Sequence, residues 1–434
     1  MNLKKIKLSS LFIILNTFVL FTSVLFIEEI YKLQFSESEY FKNQALSNRQ
    51  KVEVIEAKRG SILDREFNEV SETINAFNIG IYPEKIDDKK LVSELLAPLL
   101  QLDKAVIFER LNNNKNYFYL KRNIDFETGT KIKNWNYKGI NVEKSSKRII
   151  YSDSLTQIIG HVDPDGNGIE GLELYFDNSL KGTDGELRYE AAPNGDFIPQ
   201  GKSSILDPVH GEDLILSIDS ELQYISEDLC SEALQITQAF KCSVVFMNAE
   251  NGEIIISAEK SSINNKYFDI NLISGRALYE PGSALKIFTV GALLQNDEVN
   301  ENDTYYVEDK IEIIEESCNK NYEGLKGCFR DFLKHDPYEL TVKEIIERSS
   351  NVGTIKITQN SNVLEIENFL IKFGFGEKTG VELTGETRGG FIDNKRCVTC
   401  LSSLSIGYSV NVSQYQMVRA YSIIANGGND VKLT

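Results

Sequence analysis

The feature that most limits what this chain can fold into is a run of 20 residues, Leu8 to Ile27, without a formal charge, preceded by MNLKKIK and followed at once by Glu28 and Glu29. A bilayer core is about 30 Å thick and a helix rises about 1.5 Å per residue, so the run suffices to cross a membrane once. It is long for a cleaved signal sequence, and no small-x-small site follows at the usual place. A single transmembrane helix over 8–27 is therefore expected. Lys4, Lys5 and Lys7 before it and acids after it predict a cytoplasmic tail, 1–7, with everything beyond Glu28 outside the cytoplasm. No later segment has the length and hydropathy of a second span.

With 434 residues and 41% hydrophobic content, the rest can bury one large core and a second smaller one. The net charge of −17 disfavours a nucleic-acid partner, because binding a phosphate backbone depends on clustered Lys and Arg. Six cysteines, Cys230, Cys242, Cys318, Cys328, Cys397 and Cys400, lie in the second half. Cys397 and Cys400 have the spacing of half a zinc site, yet the chain has three histidines and no second CxxC, so no metal or cofactor is expected. Buried thiols, or a local disulfide between Cys318 and Cys328, fit better.

Residues 28–210 mix β-branched runs such as FNIGIY and VEVIEA with helical pieces such as KKLVSELLAPLLQL, predicting an α+β domain. Within it, Asp163, Asp165, Asn167 and Gly168 imitate a calcium loop, but the bidentate acid's place is held by Leu174, so a Gly-rich turn is preferred. From Gly211 onward, DLILSID alternates as a strand, and CSVVFM and EIIISA flank an Asn251-Gly252 hairpin signal. Long helical stretches follow, one opened by a Thr341-x-x-Glu344 capping box and another ending on Gly427-Gly428. Residues 211–434 are thus expected to form a sheet flanked by helices.

The chemistry centres on EPGSALK. Ser-x-x-Lys is a weak pattern that occurs three times, at Ser257–Lys260, Ser283–Lys286 and Ser317–Lys320. In SALKIFTVGALLQ, Lys286 is the sole charged residue of a helix apolar on nearly every face, so its amine is predicted to be buried. Desolvation disfavours the ammonium form, and a neutral amine is a base. Spacing i, i+3 puts the Ser283 hydroxyl on the same helix face, within plausible hydrogen-bond reach, at an amino terminus that favours negative charge. The alternative is that Ser283 merely caps the helix. A third participant is found in ERSSNVG, where Ser349 and Asn351 fall at a helix break 66 residues after Ser283; Ser-x-Asn also occurs elsewhere, as at Ser262–Asn264 and Ser409–Asn411, without that context.

These stretches resemble the class B penicillin-binding proteins, membrane-anchored serine D,D-transpeptidases of peptidoglycan. RGSILDR from Arg59 is similar to the start of the family's pedestal, although EFNEV replaces the usual Gly-containing turn. GIEGLELYFDNSLKG from Gly168 is similar to its second pedestal signature. EPGSALK and RSSNVG resemble the nucleophile and second motifs, and SIGYSVNVSQYQMVRAYSIIANGG a later segment, with Ser409 where glycine is more usual. Glu280 and Asn351 look more like the cell-division, FtsI-like branch. The resemblance implies a multidomain chain: anchor, dimerisation-type pedestal, and a β-lactamase-like transpeptidase domain with a central antiparallel sheet.

It also implies roles: Ser283 the nucleophile, Lys286 its base, Ser349 a proton carrier and Asn351 a substrate clamp. The substrate would be a D-Ala-D-Ala stem peptide mimicked by β-lactams, and the partners a membrane-embedded glycan polymerase and other division proteins at the inner membrane. The family's third motif is Lys-Thr-Gly on a strand. Lys378-Thr379-Gly380 lies only 27 positions after Asn351, in a loop context, so the genuine strand is expected beyond Thr434 and the chain is expected to be truncated and weakly active or inactive. Two other classes remain: a division-complex scaffold without turnover, and a β-lactamase or β-lactam sensor.

Overall fold

The computed structural model describes residues 3–40, 44, 49–192, 198, 203–261, 274–318, 327–392 and 397–434. They form two compact units, Met1–Lys58 with Gly182–Gly211, and Arg59–Lys181 with Glu212–Thr434.

In the first unit, one helix runs from Leu3 to Tyr31 and continues as a π-helical turn, Lys32–Ser36. Phe12–Phe35 has a mean hydropathy of 1.9 and is unburied, long and apolar enough to cross a membrane. The hydroxyls inside it are satisfied locally: the Thr17 hydroxyl donates to the Ile13 carbonyl at 2.5 Å and the Ser23 hydroxyl to Val19 at 2.7 Å. In hydrocarbon no water replaces such bonds, so internal pairing is what the environment requires. The rest of the unit is an antiparallel sheet in which Gly185–Glu190 pairs with Gln50–Ile55 on one side and Ser203–Leu206 on the other.

The second unit contains a five-stranded sheet built on the long strand Glu69–Ile81, which holds FNIGI. Ile140–Ile150 pairs antiparallel along it, and Phe118–Asp125 and Ile62–Leu63 also pair with it. Helices Lys89–Leu100 and Lys104–Asn113, capped by the Asp88 and Asp103 carboxylates, bury Leu96, Leu100, Ile107 and Leu111 with Phe77, Ile79 and Ile81. The two pedestal-like stretches meet in a buried ion cluster. Arg59 Nε donates to Glu173 at 2.7 Å, its Nη1 to Asp177 at 2.6 Å, and Arg148 Nε to the other Glu173 oxygen at 2.6 Å. Where EFNEV departs from the glycine turn, Phe67 adopts φ +64°, a conformation glycine takes without steric cost.

Asp163 is engaged by a turn of its own chain. Its Oδ1 accepts from the backbone N–H groups of Asp165 and Asn167, at 2.8 and 2.9 Å, which is the turn preferred from the sequence. The alternation in DLILSID is corrected: only Leu214–Ile215 is strand, and it pairs in parallel with Ile62–Leu63 rather than with the hairpin. The Ser61 N–H donating to the Asp213 carboxylate at 2.6 Å and the Leu214 N–H donating to the Ser61 carbonyl at 2.9 Å draw it there.

The hairpin itself forms as expected. Lys241–Met247 and Ile254–Ser261 pair antiparallel across a turn in which Gly252 has φ +81°, and helix Ser220–Thr237, capped by Asp219, packs on them. All six cysteines are paired, Cys230–Cys242, Cys318–Cys328 and Cys397–Cys400, so the buried-thiol alternative does not hold. Cys397 and Cys400 bind each other and leave no thiolate for a metal.

Candidate active site

Pro281 and Gly282 end an extended approach that is clamped from outside. Tyr279 and Val412 exchange both backbone hydrogen bonds at 2.9 Å, and the Gly282 N–H donates to the Gly407 carbonyl at 2.9 Å. A Cβ at Gly407 would lie 1.9 Å from the Gly282 oxygen, so only glycine fits there. Ser283 follows in a 3₁₀ turn, Gly282–Leu285, which leads into helix Lys286–Gln295. The Tyr421 hydroxyl donates to the Ala284 carbonyl at 2.8 Å, and Phe288 packs edge-on against Phe373, Phe375 and Tyr421. The Ser283 turn is thus anchored by backbone bonds on one side and an aromatic cluster on the other. Ser283 is exposed and makes no capping hydrogen bond, so the plain-cap alternative has no support.

Lys286 is 2% exposed, as its setting in an apolar helix predicted. Burial pushes its amine down to about 8 from 10.5, against the opposing charge of Asp331. Its Nζ donates to the Ser349 carbonyl at 2.6 Å and reaches the Ser349 Oγ at 3.3 Å. Lys286 and Ser349 are therefore brought together. Among the described residues, no hydrogen bond joins the Ser283 hydroxyl to that amine: the two lie three residues apart across the junction between the 3₁₀ turn and the α-helix.

The second motif sits at the break expected for it. Helix Val342–Glu347 opens on the Thr341–Glu344 capping box and stops at Arg348; Ser349 then takes φ +53°, and helix Asn351–Thr358 restarts under Ser350 as its cap. A left-handed serine is uncommon, and here it aims both its carbonyl and its hydroxyl at Lys286. Asn351 Nδ2 donates to the Arg330 carbonyl at 2.8 Å. Asp331, next in sequence, belongs to none of the motifs above. Its Oδ2 accepts from the Ser350 hydroxyl at 2.7 Å and its Oδ1 from the Val352 N–H at 3.0 Å. The signal that could have found it is the i, i+4 pair Asp331–His335 in RDFLKHD, whose ring nitrogen lies 3.1 Å from that carboxylate.

The competing copies are accounted for where described. The Ser257 hydroxyl pairs with the Tyr415 hydroxyl at 2.9 Å and Lys260 with Glu227 at 2.6 Å, so neither serves the other. Ser409 has φ +62°, which is why glycine suits its place, and its N–H donates to Glu280 at 3.0 Å. Ser262, Asn264 and Lys320 lie outside the described residues. Lys378-Thr379-Gly380 is in a loop, not a strand. The Thr379 N–H and hydroxyl both donate to Glu386 Oε1 at 2.6 Å, so that copy is folded inward on a buried carboxylate.

Residues 54–216 match the penicillin-binding protein dimerisation domain and residues 242–434 the penicillin binding protein transpeptidase domain. The chain belongs to the class B penicillin-binding proteins. Its relatives place it in the FtsI-like branch. It is 31% identical to the peptidoglycan D,D-transpeptidase FtsI of Buchnera aphidicola, over 86% of this chain and 65% of that protein. It is 27% identical to the stage V sporulation protein D of Bacillus subtilis, over 86% and 58% respectively. The fold matches penicillin-binding protein PBP2 of Helicobacter pylori, solved in complex with MreC, with a TM-score of 0.71 at 21% identity, covering 88% of this chain and 78% of that one. This penicillin-binding protein spans less than two thirds of the length of these curated relatives, and among the described residues one helix is long and apolar enough to cross a membrane, consistent with a single-pass membrane protein.

Proposed function

We propose that this penicillin-binding protein is a peptidoglycan D,D-transpeptidase that cross-links stem peptides through an acyl-serine, in septal wall synthesis, and that β-lactams acylate the same serine. The observation that carries the reading is a buried amine with lowered proton affinity, held against a serine at a helix break and one turn from an exposed serine hydroxyl. Neutral Lys286 accepts the Ser283 proton as Oγ attacks the carbonyl of the penultimate D-Ala. Ser349, in contact with the amine, relays a proton to the departing D-Ala nitrogen, and the Ser283 N–H, in the first turn of its helix, faces the developing oxyanion. Asn351 holds the backbone of the stem peptide. The apo chain lacks a direct Ser283–Lys286 bond, and such contacts commonly tighten only when substrate is bound.

The division of labour follows the sequence: 1–7 cytoplasmic, 8–27 the anchor in the inner membrane, 28–210 the pedestal that meets a glycan polymerase and other division proteins, and 211–434 the acyl-transfer domain. The similarity to FtsI supports the septal assignment, and the Helicobacter relative solved in complex with MreC supports a protein partner. Labelling of the full-length protein in its own membranes with a fluorescent penicillin tests the proposal. A persistent adduct abolished by Ser283→Ala supports it. A rapidly lost adduct means a hydrolase, and an adduct that survives Ser283→Ala removes the assignment.

A further inference from the structure

The segment Arg330–Tyr338 does more than connect two elements. Asp331 hydrogen-bonds the Ser350 hydroxyl and the Val352 N–H, so one carboxylate fixes both the cap and the first turn of the helix that carries Asn351. The preceding carbonyl, Arg330, receives the Asn351 side chain at 2.8 Å. Asp331 is also the acid whose charge reaches the Lys286 amine. Its remaining partner is His335, whose Nε2 lies 3.1 Å from Asp331 Oδ2 while Nδ1 lies 2.9 Å from the Asp336 carbonyl oxygen.

A carboxylate and a carbonyl only accept hydrogen bonds, so both ring nitrogens face acceptors. A single neutral tautomer satisfies one of them; the imidazolium satisfies both. The ring stacks on Tyr338 at 4.4 Å; of the charged groups around it Asp309 favours the imidazolium, whereas Arg348, 5.2 Å from the Tyr338 centroid, is a positive charge that does not. The Asp336 carbonyl and the Asp331 carboxylate hold the imidazole protonated to higher pH than usual, with burial opposing. His335 and Asp331 are largely shielded, at 16% and 9% side-chain exposure. Screening by bulk water is correspondingly reduced.

We propose that Asp331, braced by His335, is a positioning residue for acyl transfer: it fixes from behind the Ser349–Asn351 turn that holds the Lys286 amine. The proposal rests on the reading of Ser283 and Lys286 given above. Asp331 touches neither substrate nor nucleophile. It acts through Ser350, through the backbone of the turn, and through its field at the amine.

The test follows the Lys286 side chain directly by NMR of isotope-labelled lysine in the detergent-solubilised chain, its resonance identified by its loss in Lys286→Arg. Asp331→Asn keeps an acceptor oxygen and removes the charge. Its Lys286 midpoint is expected to fall by about 0.5 pH unit or more, the effect of removing one nearby negative charge at an effective dielectric near 20. Asp331→Glu is expected to restore the midpoint. His335→Gln removes a brace and whatever positive charge the ring carries at that pH, and is expected to leave the midpoint unchanged or higher, never lower. The pH profile of Ser283 acylation by penicillin should move with the amine in each variant.

A general loosening of the fold would lower melting temperatures and shift both variants in the same direction. The proposal is overturned if Asp331→Asn leaves the midpoint within about 0.2 unit of the wild type, or if His335→Gln lowers it as far. Should wild-type Ser283 fail to acylate at any pH, the assigned function fails, while the lysine titration still decides the role of Asp331.

Discussion

Replacing Lys286 by methionine separates stability from chemistry at this site. Methionine matches the length of the lysine stem and carries no proton. With its amine pushed down to about 8 from 10.5, the buried lysine is ionised at pH 7 against a penalty of up to about 3 kcal/mol, since each tenfold loss of proton affinity corresponds to about 1.4 kcal/mol. Removing the amine also strips the Ser349 carbonyl of its 2.6 Å donor, a loss of about 1–2 kcal/mol. The variant should thus be more stable than the wild type by about 1–2 kcal/mol at pH 7. The sign then changes with pH. Because the folded-state pKa lies below the unfolded one, the unfolded chain binds more protons between pH 8 and 10.5, and wild-type stability rises across that window. At pH 10 the wild type should have regained about 2.5 kcal/mol, making the variant level or slightly weaker. Urea denaturation of both proteins at pH 7 and pH 10 measures the difference, in which all other titrating groups cancel. A difference independent of pH, whatever its size, would refute the buried-amine argument. The same lowered pKa makes roughly a tenth of the amine neutral at pH 7 rather than roughly one part in three thousand, which is why the stabler variant should lose Ser283 acylation.

Other perturbations probe neighbouring parts of the molecule. Ser349→Gly, at φ +53°, relieves a left-handed serine and should leave the melting temperature equal or higher while penicillin labelling falls, since Lys286 keeps the carbonyl but loses the hydroxyl. Ser409→Gly, at φ +62°, relieves a left-handed strain of about 1–2 kcal/mol against about 0.4–1 kcal/mol of added unfolded-state entropy, and should leave stability equal or up to about 1 kcal/mol higher in a denaturant titration without altering labelling. Arg59→Ala leaves Glu173 buried with Arg148 alone and should cost about 3–5 kcal/mol, read as early proteolytic cleavage within residues 59–181. Reduction should add six protons by mass spectrometry, and opening the Cys230–Cys242 and Cys318–Cys328 loops should each cost about 3 kcal/mol; unchanged melting after complete reduction would contradict the loop-entropy estimate.

Much of this protein is determined by residues acting on their near neighbours. The uncharged run after the first lysines, the Asn251-Gly252 turn, the Thr341–Glu344 box and the apolar faces around Lys286 each act within a turn or two, so the order of residues was enough to find the anchor, the hairpin, the helix break and the buried amine. Even the departures from the family pattern at Phe67 and Ser409 marked places where the backbone turns left-handed.

Tertiary structure decided who answers whom. Ile62–Leu63 pairs with Leu214–Ile215 across about 150 residues, Arg59 finds Glu173, and the Lys286 amine bonds to the Ser349 carbonyl rather than to the nearer Ser283 hydroxyl. Asp331 lies 45 positions from Lys286, yet its charge is felt there. The physical reason is that a pattern of side chains dictates which surface must be hidden, whereas the strength and direction of a buried hydrogen bond or charge depend on what packs against it, and that partner arrives from elsewhere in the chain.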